Sequence, residues 1–192
     1  AWGIIARALV TDQTPLTNFY ESLVFATAGL VALAIVLELV SRRLYYGLGG
    51  ALMGAIFSMV ANSLSIHMAR PKPTVAALQS FWLHLHVSVI MLSYSAFALS
   101  LFICLAFFFV YFLRRIRLRR AEGGEPDAPD PLSVTLRQLE RLNFNVILIG
   151  FPLLTIGIIL GAAWANTAWG RPWGWDPKET WALITVMIYS FI

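Results

Sequence analysis

Four long apolar runs, separated by short polar stretches, dominate the pattern of the chain: Phe19 to Val40, Tyr46 to Ile66, His86 to Leu113 and Phe144 to Trp164. Each reaches the roughly 20 residues a helix needs to cross the hydrocarbon of a bilayer. A fifth run begins near Trp181 and goes only to Ile192, too short to span, so the chain is expected to stop inside a helix. Ala1 to Val10 reads as the last turns of an earlier apolar segment. It lacks the basic region, apolar stretch and cleavage site of a signal peptide. The expected fold is all-α: a polytopic transmembrane helix bundle of four complete spans plus a truncated fifth, a fragment of a longer protein in which residues 1–192 form a single domain.

Polar residues punctuate the runs. Asn18 with Glu21 has the spacing of a capping box at the entry to the first span. Glu38 lies four residues before Arg42, so a pairing across one helical turn is expected at the end of that span. Gly47, Gly49, Gly50 and Gly54, with Ala51, Ala55 and Ala61, give the second span the small residues that let membrane helices approach closely. The third is too long for one crossing if it begins at Phe81, so its start, with Trp82 to His86, is expected to stand outside the bilayer. It ends in the basic stretch Arg114 to Arg120, which is able to touch anionic lipid. Glu122 to Pro131, rich in Gly, Pro and acid, reads as a flexible linker. Leu132, Leu136, Leu139 and Leu142 then recur at helical spacing, which predicts a short helix on the inner membrane surface. Residues 114–142 are thus a cytoplasmic linker and surface helix.

Composition agrees with lipid as the solvent: 59% of residues are hydrophobic, 12% are charged, and the mean hydropathy is +0.74. A soluble domain keeps about a quarter of its residues charged. The pI near 9.6 does not point to nucleic acid, because the basic residues sit between the spans. Arg42, Arg43, Arg114, Arg115, Arg117, Arg119, Arg120, Arg137 and Arg141 fall in one set of connections, and Arg7, Arg70, Lys72, Arg171 and Lys178 in the other. The positive-inside rule places the first set in the cytoplasm and the second outside. Cys104, alone in an apolar span, forms no internal disulfide or redox pair and reads as a small packing residue.

The unusual chemistry lies in the segment from Trp164 to Trp181, which holds five of the chain's seven tryptophans. One or two would be an interfacial belt. Five, threaded with Gly170, Pro172, Gly174 and Pro177, imply a shaped aromatic surface, and aromatic faces stack on flat conjugated ligands. Asp176, Pro177 and Glu179 match the cap, first-turn proline and capping-box glutamate of a new helix, and this structural reading outweighs direct ligand contact by Asp176 about two to one. All three histidines fall near the outer face. His84 and His86 point to nearly opposite sides of a helix, and Trp82, one turn before His86, shares its face. His67 is placed to meet free carbonyls at the end of the second span. No nucleophile–base pair, phosphate loop or zinc-type cluster appears. Haem iron accepts an axial histidine and its ring stacks on aromatics, but the residues themselves reach only as far as a flat, metal-bearing ligand on the outer face.

Trp169-Gly-Arg-Pro-Trp173-Gly-Trp175-Asp176-Pro-Lys-Glu-Thr-Trp181 resembles the tryptophan-rich WWD signature of the haem-handling proteins of cytochrome c biogenesis, and its end resembles the CcsA/ResC branch of System II more than CcmC or CcmF. The stretches Pro15 to Leu23, Phe81 to Val87 with Ser93-Tyr94, and Gly150 to Gly157 resemble other parts of the same family, in order along most of the chain. The resemblance implies that His86 is an external axial ligand of haem iron, with Trp82 beside it. It implies that residues 166–180 form an external haem-binding loop whose Trp169–Trp175 segment, with Asp176, makes the platform, and that Arg171 and Lys178 are placed for the propionates. Pro172 stands where the family often has an aromatic residue, and the family's other haem histidines lie beyond Ile192. The implied cofactor is b-type haem, iron protoporphyrin IX. The implied activity is export and presentation of haem and its attachment to a Cys-x-x-Cys-His apocytochrome c, as the haem-handling part of a cytochrome c synthase (haem lyase). The implied partners are that apocytochrome and a ResB/CcsB-type subunit or fused domain; the implied location is a bacterial inner membrane or thylakoid. Two readings from other classes stay open: a transporter or channel whose tryptophans are only a belt, and a non-enzymatic subunit that scaffolds a partner.

Overall fold

The computed structural model describes residues 18–64, 79–120 and 130–191, together with residues 9 and 16. His67, Arg7, Arg70, Lys72 and most of the expected linker lie outside the described residues. Within them the chain forms five helices: α1 (Phe19–Ser41), α2 (Leu44–Ser63), α3 (Phe81–Arg120), α4 (Pro131–Trp169) and α5 (Pro177–Tyr189). The first four are long and apolar enough to cross a membrane, as expected of an integral, multi-pass protein.

Side-chain contacts fix an up-down-up-down order for α1 to α4. The α3–α4 pair is antiparallel along its whole length. His86 meets Gly157, Ser93 meets Gly150, Ser100 meets Asn143, and Arg114 meets Asp130. Helix α1 runs parallel to α3: the Ser95 hydroxyl donates to the Ala26 carbonyl at 2.8 Å, and further along both helices Ala34 lies at Gly50, whose neighbour Gly49 lies at Leu99 and Phe102. Helix α2 returns beside both. A Cβ at Gly50 would stand 2.4 Å from that of Ala34, so only a glycine permits this approach of α1 and α2. Where lipid is the solvent, close packing and interhelical hydrogen bonds replace the hydrophobic drive; Gly49, Gly50, Gly54 and Ala61 are buried in that packing as expected, while Ala51 and Ala55 are exposed.

The buried centre is Leu30, Tyr46, Leu99, Ile103, Leu139 and Val146. The Tyr46 hydroxyl donates to the Leu142 carbonyl at 3.1 Å, tying α2 to α4. This contact also gathers Arg42, Arg43, Arg114, Arg137 and Arg141 at one end of the bundle, while Arg171 and Lys178 stand at the other. The two charge sets of the sequence are therefore physically separated among the described residues.

Three expectations change. The surface helix over Leu132–Leu142 and the span over Phe144–Trp164 are one rod of 39 residues. No residue breaks the helix between them, and Leu136, Leu139 and Leu142 are buried against the bundle rather than laid on a membrane surface. Likewise the basic stretch Arg114–Arg120 continues α3, which has 40 residues. At 1.5 Å per residue each rod is about 60 Å long, twice the roughly 30 Å of hydrocarbon. The Glu38–Arg42 pair does not form: Arg42 caps α1 in the left-handed conformation (φ 54°), which turns its side chain off the helix face. The Glu38 carboxylate instead fills the space where a side chain at Gly47 would stand. At the start of α1 the Asn18 side chain accepts from the Glu21 amide at 2.9 Å, which is the cap half of the expected box, and Glu21 itself is buried.

Candidate functional site

Helix α4 ends at Gly170, whose left-handed backbone (φ 71°) closes the helix. Helix α5 begins at Pro177 with Asp176 as its N-cap, and its capping box is complete. The Asp176 carboxylate accepts from the Glu179 amide at 2.8 Å, and the Glu179 carboxylate accepts from the Asp176 amide at 3.3 Å. The same Glu179 oxygen accepts from the Gly174 amide at 2.7 Å. The cap predicted from sequence thus also clamps the loop ahead of it, a role that spacing alone did not disclose. The irregular segment is shorter than residues 166–180. Asn166 to Trp169 end α4, Pro177 to Thr180 begin α5, and only 170–176 leave helical geometry.

Between α3, α4, α5 and this segment lies a cavity of 570 Å³, within the usual range of about 300–1,000 Å³ for small-molecule sites. Its walls come from His86, Ile90 and Tyr94 on α3, from Leu154, Ile158, Gly161 and Trp164 on α4, and from Trp181 and Thr185 on α5. Trp173, Asp176 and Lys178 close it at the loop end. Lower down, α5 is fixed to α3 by stacking of Tyr189 on Phe97, with ring centroids 4.3 Å apart.

His86 is half-buried, and its Nδ1 lies 2.6 Å from the Gly157 carbonyl oxygen. A carbonyl only accepts, so Nδ1 carries the proton and the neutral ring's lone pair is on Nε2. Among the described residues Nε2 has no hydrogen-bond partner. Trp173 makes an edge-to-face contact with Trp175 at 5.7 Å. Its indole Nε1 is fully buried and bonded to nothing among the described residues, although a buried indole N–H normally finds an acceptor.

Of the residues expected at a binding site, His86, Trp173, Asp176 and Lys178 come together on this cavity. Trp82, Trp169, Arg171 and Trp175 are not among its lining residues. Trp82 lies edge-on to Phe81 and is 40% exposed. Trp169 leans on Trp164 and is 63% exposed. Trp175, 70% exposed, stands at a left-handed φ of 56° and meets Trp173 edge-on from outside the cavity wall, and the Arg171 guanidinium packs over Gly174. His84 is likewise absent from the cavity, in keeping with its opposite helix face. In place of the outlying tryptophans the walls use Trp164, Trp181 and Tyr94. Trp164 and Trp181 stood in the aromatic segment, but nothing in their spacing showed that α4 and α5 would turn them toward one space.

The family model described as Cytochrome C assembly protein matches residues 16–192. The chain is 37% identical to the cytochrome c biogenesis protein CcsA of Thermosynechococcus vestitus, over 97% of this chain and 68% of that one. It is 38% identical to CcsA of Synechococcus elongatus, over 96% and 68%, and 41% identical to CcsA of Guillardia theta, over 96% and 64%. It thus spans about two thirds of the length of these relatives. The match runs through all five helices and through both the His86 helix and the Trp-rich loop, so the chain belongs to the CcsA family of cytochrome c assembly proteins.

Proposed function

We propose that this protein binds haem in the cavity between α3, α4 and α5 and presents it on the outer face of the membrane for covalent attachment to apocytochrome c. The observation that carries this reading is the meeting of His86 and Trp173 on one cavity, contributed by segments 87 residues apart.

The residues present fit the ligand. His86 offers an unpartnered Nε2 lone pair, the donor haem iron accepts axially. The walls are apolar and aromatic, suited to a flat macrocycle. The ammonium of Lys178, at the loop end of the cavity, suits a carboxylate at the ring's edge. When bound, the haem supplies two vinyl groups, across each of which a cysteine thiol adds its S and H to give a thioether without net oxidation. The chain's residues do the rest: His86 ligates, Trp164, Trp173 and Trp181 position, and the Asp176–Glu179 box holds the loop in register. Position and ligation come from the protein, and the bond-making chemistry belongs to haem and thiols.

In this reading the Arg-rich end faces the cytoplasm and the Trp-rich loop faces the periplasm of a bacterium or the lumen of a thylakoid. A ResB/CcsB-type subunit or fused domain completes the cytochrome c synthase. The decisive measurement is the absorbance spectrum of the purified full-length protein beside its His86→Ala variant. A Soret band that is lost or weakened in the variant, and partly restored by imidazole, is the expected result. A wild type with no Soret band would overturn the reading in favour of a transporter or scaffold. Cysteine labelling at Gly124 and Gly170 tests sidedness, and labelling of both from one side would refute it.

A further inference from the structure

His86 reaches α4 only because that helix has no side chain where the imidazole lies. A Cβ at Gly161 would stand 2.7 Å from Cε1 and 2.9 Å from Nδ1 of His86. One turn earlier, a Cβ at Gly157 would stand 2.6 Å from Ile90 Cδ1 and 3.5 Å from the Ile90 backbone nitrogen, so α3 comes close enough for Nδ1 to donate to the Gly157 carbonyl at 2.6 Å. The two glycines make a notch in α4, and the imidazole lies in it with one nitrogen committed to the backbone.

We propose that Gly157 and Gly161 are positioning residues that preset His86 as a ligand: the Gly161 notch fixes the plane of the ring, and the Gly157 carbonyl fixes the Nδ1–H tautomer. This rests on the haem-binding reading and deepens it. Free imidazole side chains in water favour the proton on Nε2, the nitrogen nearer the end of the side chain. The carbonyl reverses that preference before any ligand arrives, so the lone pair stands ready on Nε2. A hydrogen bond from the non-ligating nitrogen also raises the basicity of the ligating one. A methyl group at position 161 would meet the ring first at Cε1 and Nδ1, with Nε2 3.4 Å away, and would push the ring out of the notch and break the bond to Gly157.

The test uses the full-length protein in detergent, first without haem. In protein with 15N-labelled histidine, the two ring nitrogens of His86, assigned by their loss in His86→Ala, should show a protonated Nδ1 and a bare Nε2. In Gly161→Ala that pattern should revert toward protonated Nε2. With haem added, Gly161→Ala should bind about 10- to 100-fold more weakly, the usual cost of losing a ligand-orienting partner, and imidazole should recover the wild-type spectrum. Gly150→Ala is the packing control: it lies on the same α3–α4 seam, where its Cβ would crowd Ala96 at 3.1 Å, away from the cavity. It should lower yield as Gly161→Ala does while keeping the tautomer and the spectrum. A wild-type His86 protonated on Nε2, or a Gly161→Ala variant with unchanged tautomer and haem affinity, would overturn the inference even where haem binds. A preset tautomer in a protein that takes up no haem would sink the haem reading instead and leave the notch standing.

Discussion

The two ends of the α3–α4 rod pair are built from one continuous antiparallel seam, yet they do opposite things. Toward the basic end the seam is filled by Ile103, Leu139, Leu142 and Val146, and Tyr46 comes in from α2 to donate to the Leu142 carbonyl. All five of these side chains are buried among the described residues. Asn143 links Ser100 to Cys104 within this closed stretch, and midway the Ser93 hydroxyl donates to the Gly150 carbonyl at 2.9 Å. Toward the Trp-rich end the seam runs through Gly157 and Gly161, and the space left free admits His86 on one side and the cavity on the other. A cavity in this bundle is thus made by withholding side chains on one helix and adding a fifth helix behind. The register that packs the closed end is the register that aims the open one.

If that division is right, the most damaging substitution is His86→Ala. Haem retention should fall beyond the roughly 10- to 100-fold that orienting partners cost, while His84→Ala leaves the spectrum almost intact. Quantifying pyridine haemochrome per folded protein reads both. The opposite ranking would mean that the open end is not organised around His86.

The next effect separates the tryptophans that the structure has sorted. Trp173→Ala should lose the stacking face, worth about 0.5–1.5 kcal/mol, and the area by which a buried indole exceeds a phenyl ring, worth about 25 cal/mol per Å². Trp173→Phe should lose only the second part. Trp175→Ala should be milder than either, because Trp175 lies outside the cavity wall. Covalent haem staining of a reporter cytochrome c, normalised to expression, gives the order. Equal failure at Trp173 and Trp175 would return the platform to the whole loop.

Much of this was legible in the sequence for a plain reason: features within one turn of helix announce themselves. The spans, the Asp176–Glu179 box and the glycines of α2 are all set by local spacing, and the structure has them. The Trp-rich segment was likewise visible as the unusual stretch, and the cavity lies against it. What local spacing does not carry is which distant residues share a space. Gly161 reads as one more small residue until His86, 75 positions away, is seen lying on it. Trp169 and Trp175 look equivalent to Trp173 until a left-handed Trp175 and the end of α4 at Gly170 divide them. The same blindness let Glu38 and Arg42 look paired, because the helical spacing holds only while both residues are in the helix. And the uninterrupted rod of α4 was hidden by a change in polarity near Asn143 that alters what the helix touches without altering the helix.

A smaller effect tests the cap on which α5 rests. Asn caps about as well as Asp, so Asp176→Asn should be mild, whereas Asp176→Ala should cost about 1 kcal/mol of local helix stability. Reporter maturation and hydrogen exchange at the Glu179 amide should follow that order. If Asn fails as badly as Ala, the charge of Asp176 acts on the ligand rather than on the helix.

The smallest expected effect lies at the closed end, where Arg114 Nε donates to Asp130 Oδ2 at 2.7 Å and Asp130 Oδ1 accepts from the Leu132 amide at 3.1 Å. The hydrogen bond from Arg114 holds the Asp130 carboxyl below its ordinary value, with the Leu132 amide and the charges of Arg114 and Arg117 adding to it against the cost of burial. A carboxyl whose folded pKa is depressed stabilises the fold above its unfolded value, about 3.9, and loses that contribution as pH falls through the folded pKa. Asp130→Asn keeps the cap and removes the charge. It should therefore melt slightly below the wild type at pH 6, and the gap should close as pH is lowered below about 4. The pair is partly exposed, so salt should shrink the gap as well. Arg114→Ala should reproduce the same pH dependence, and adding it to Asp130→Asn should change little, since the two share one interaction. Haem binding should be untouched in all three, because the closed end only fixes the register of the seam. A loss of bound haem in folded Asp130→Asn protein would mean that the two ends are coupled, and the division between them would fail.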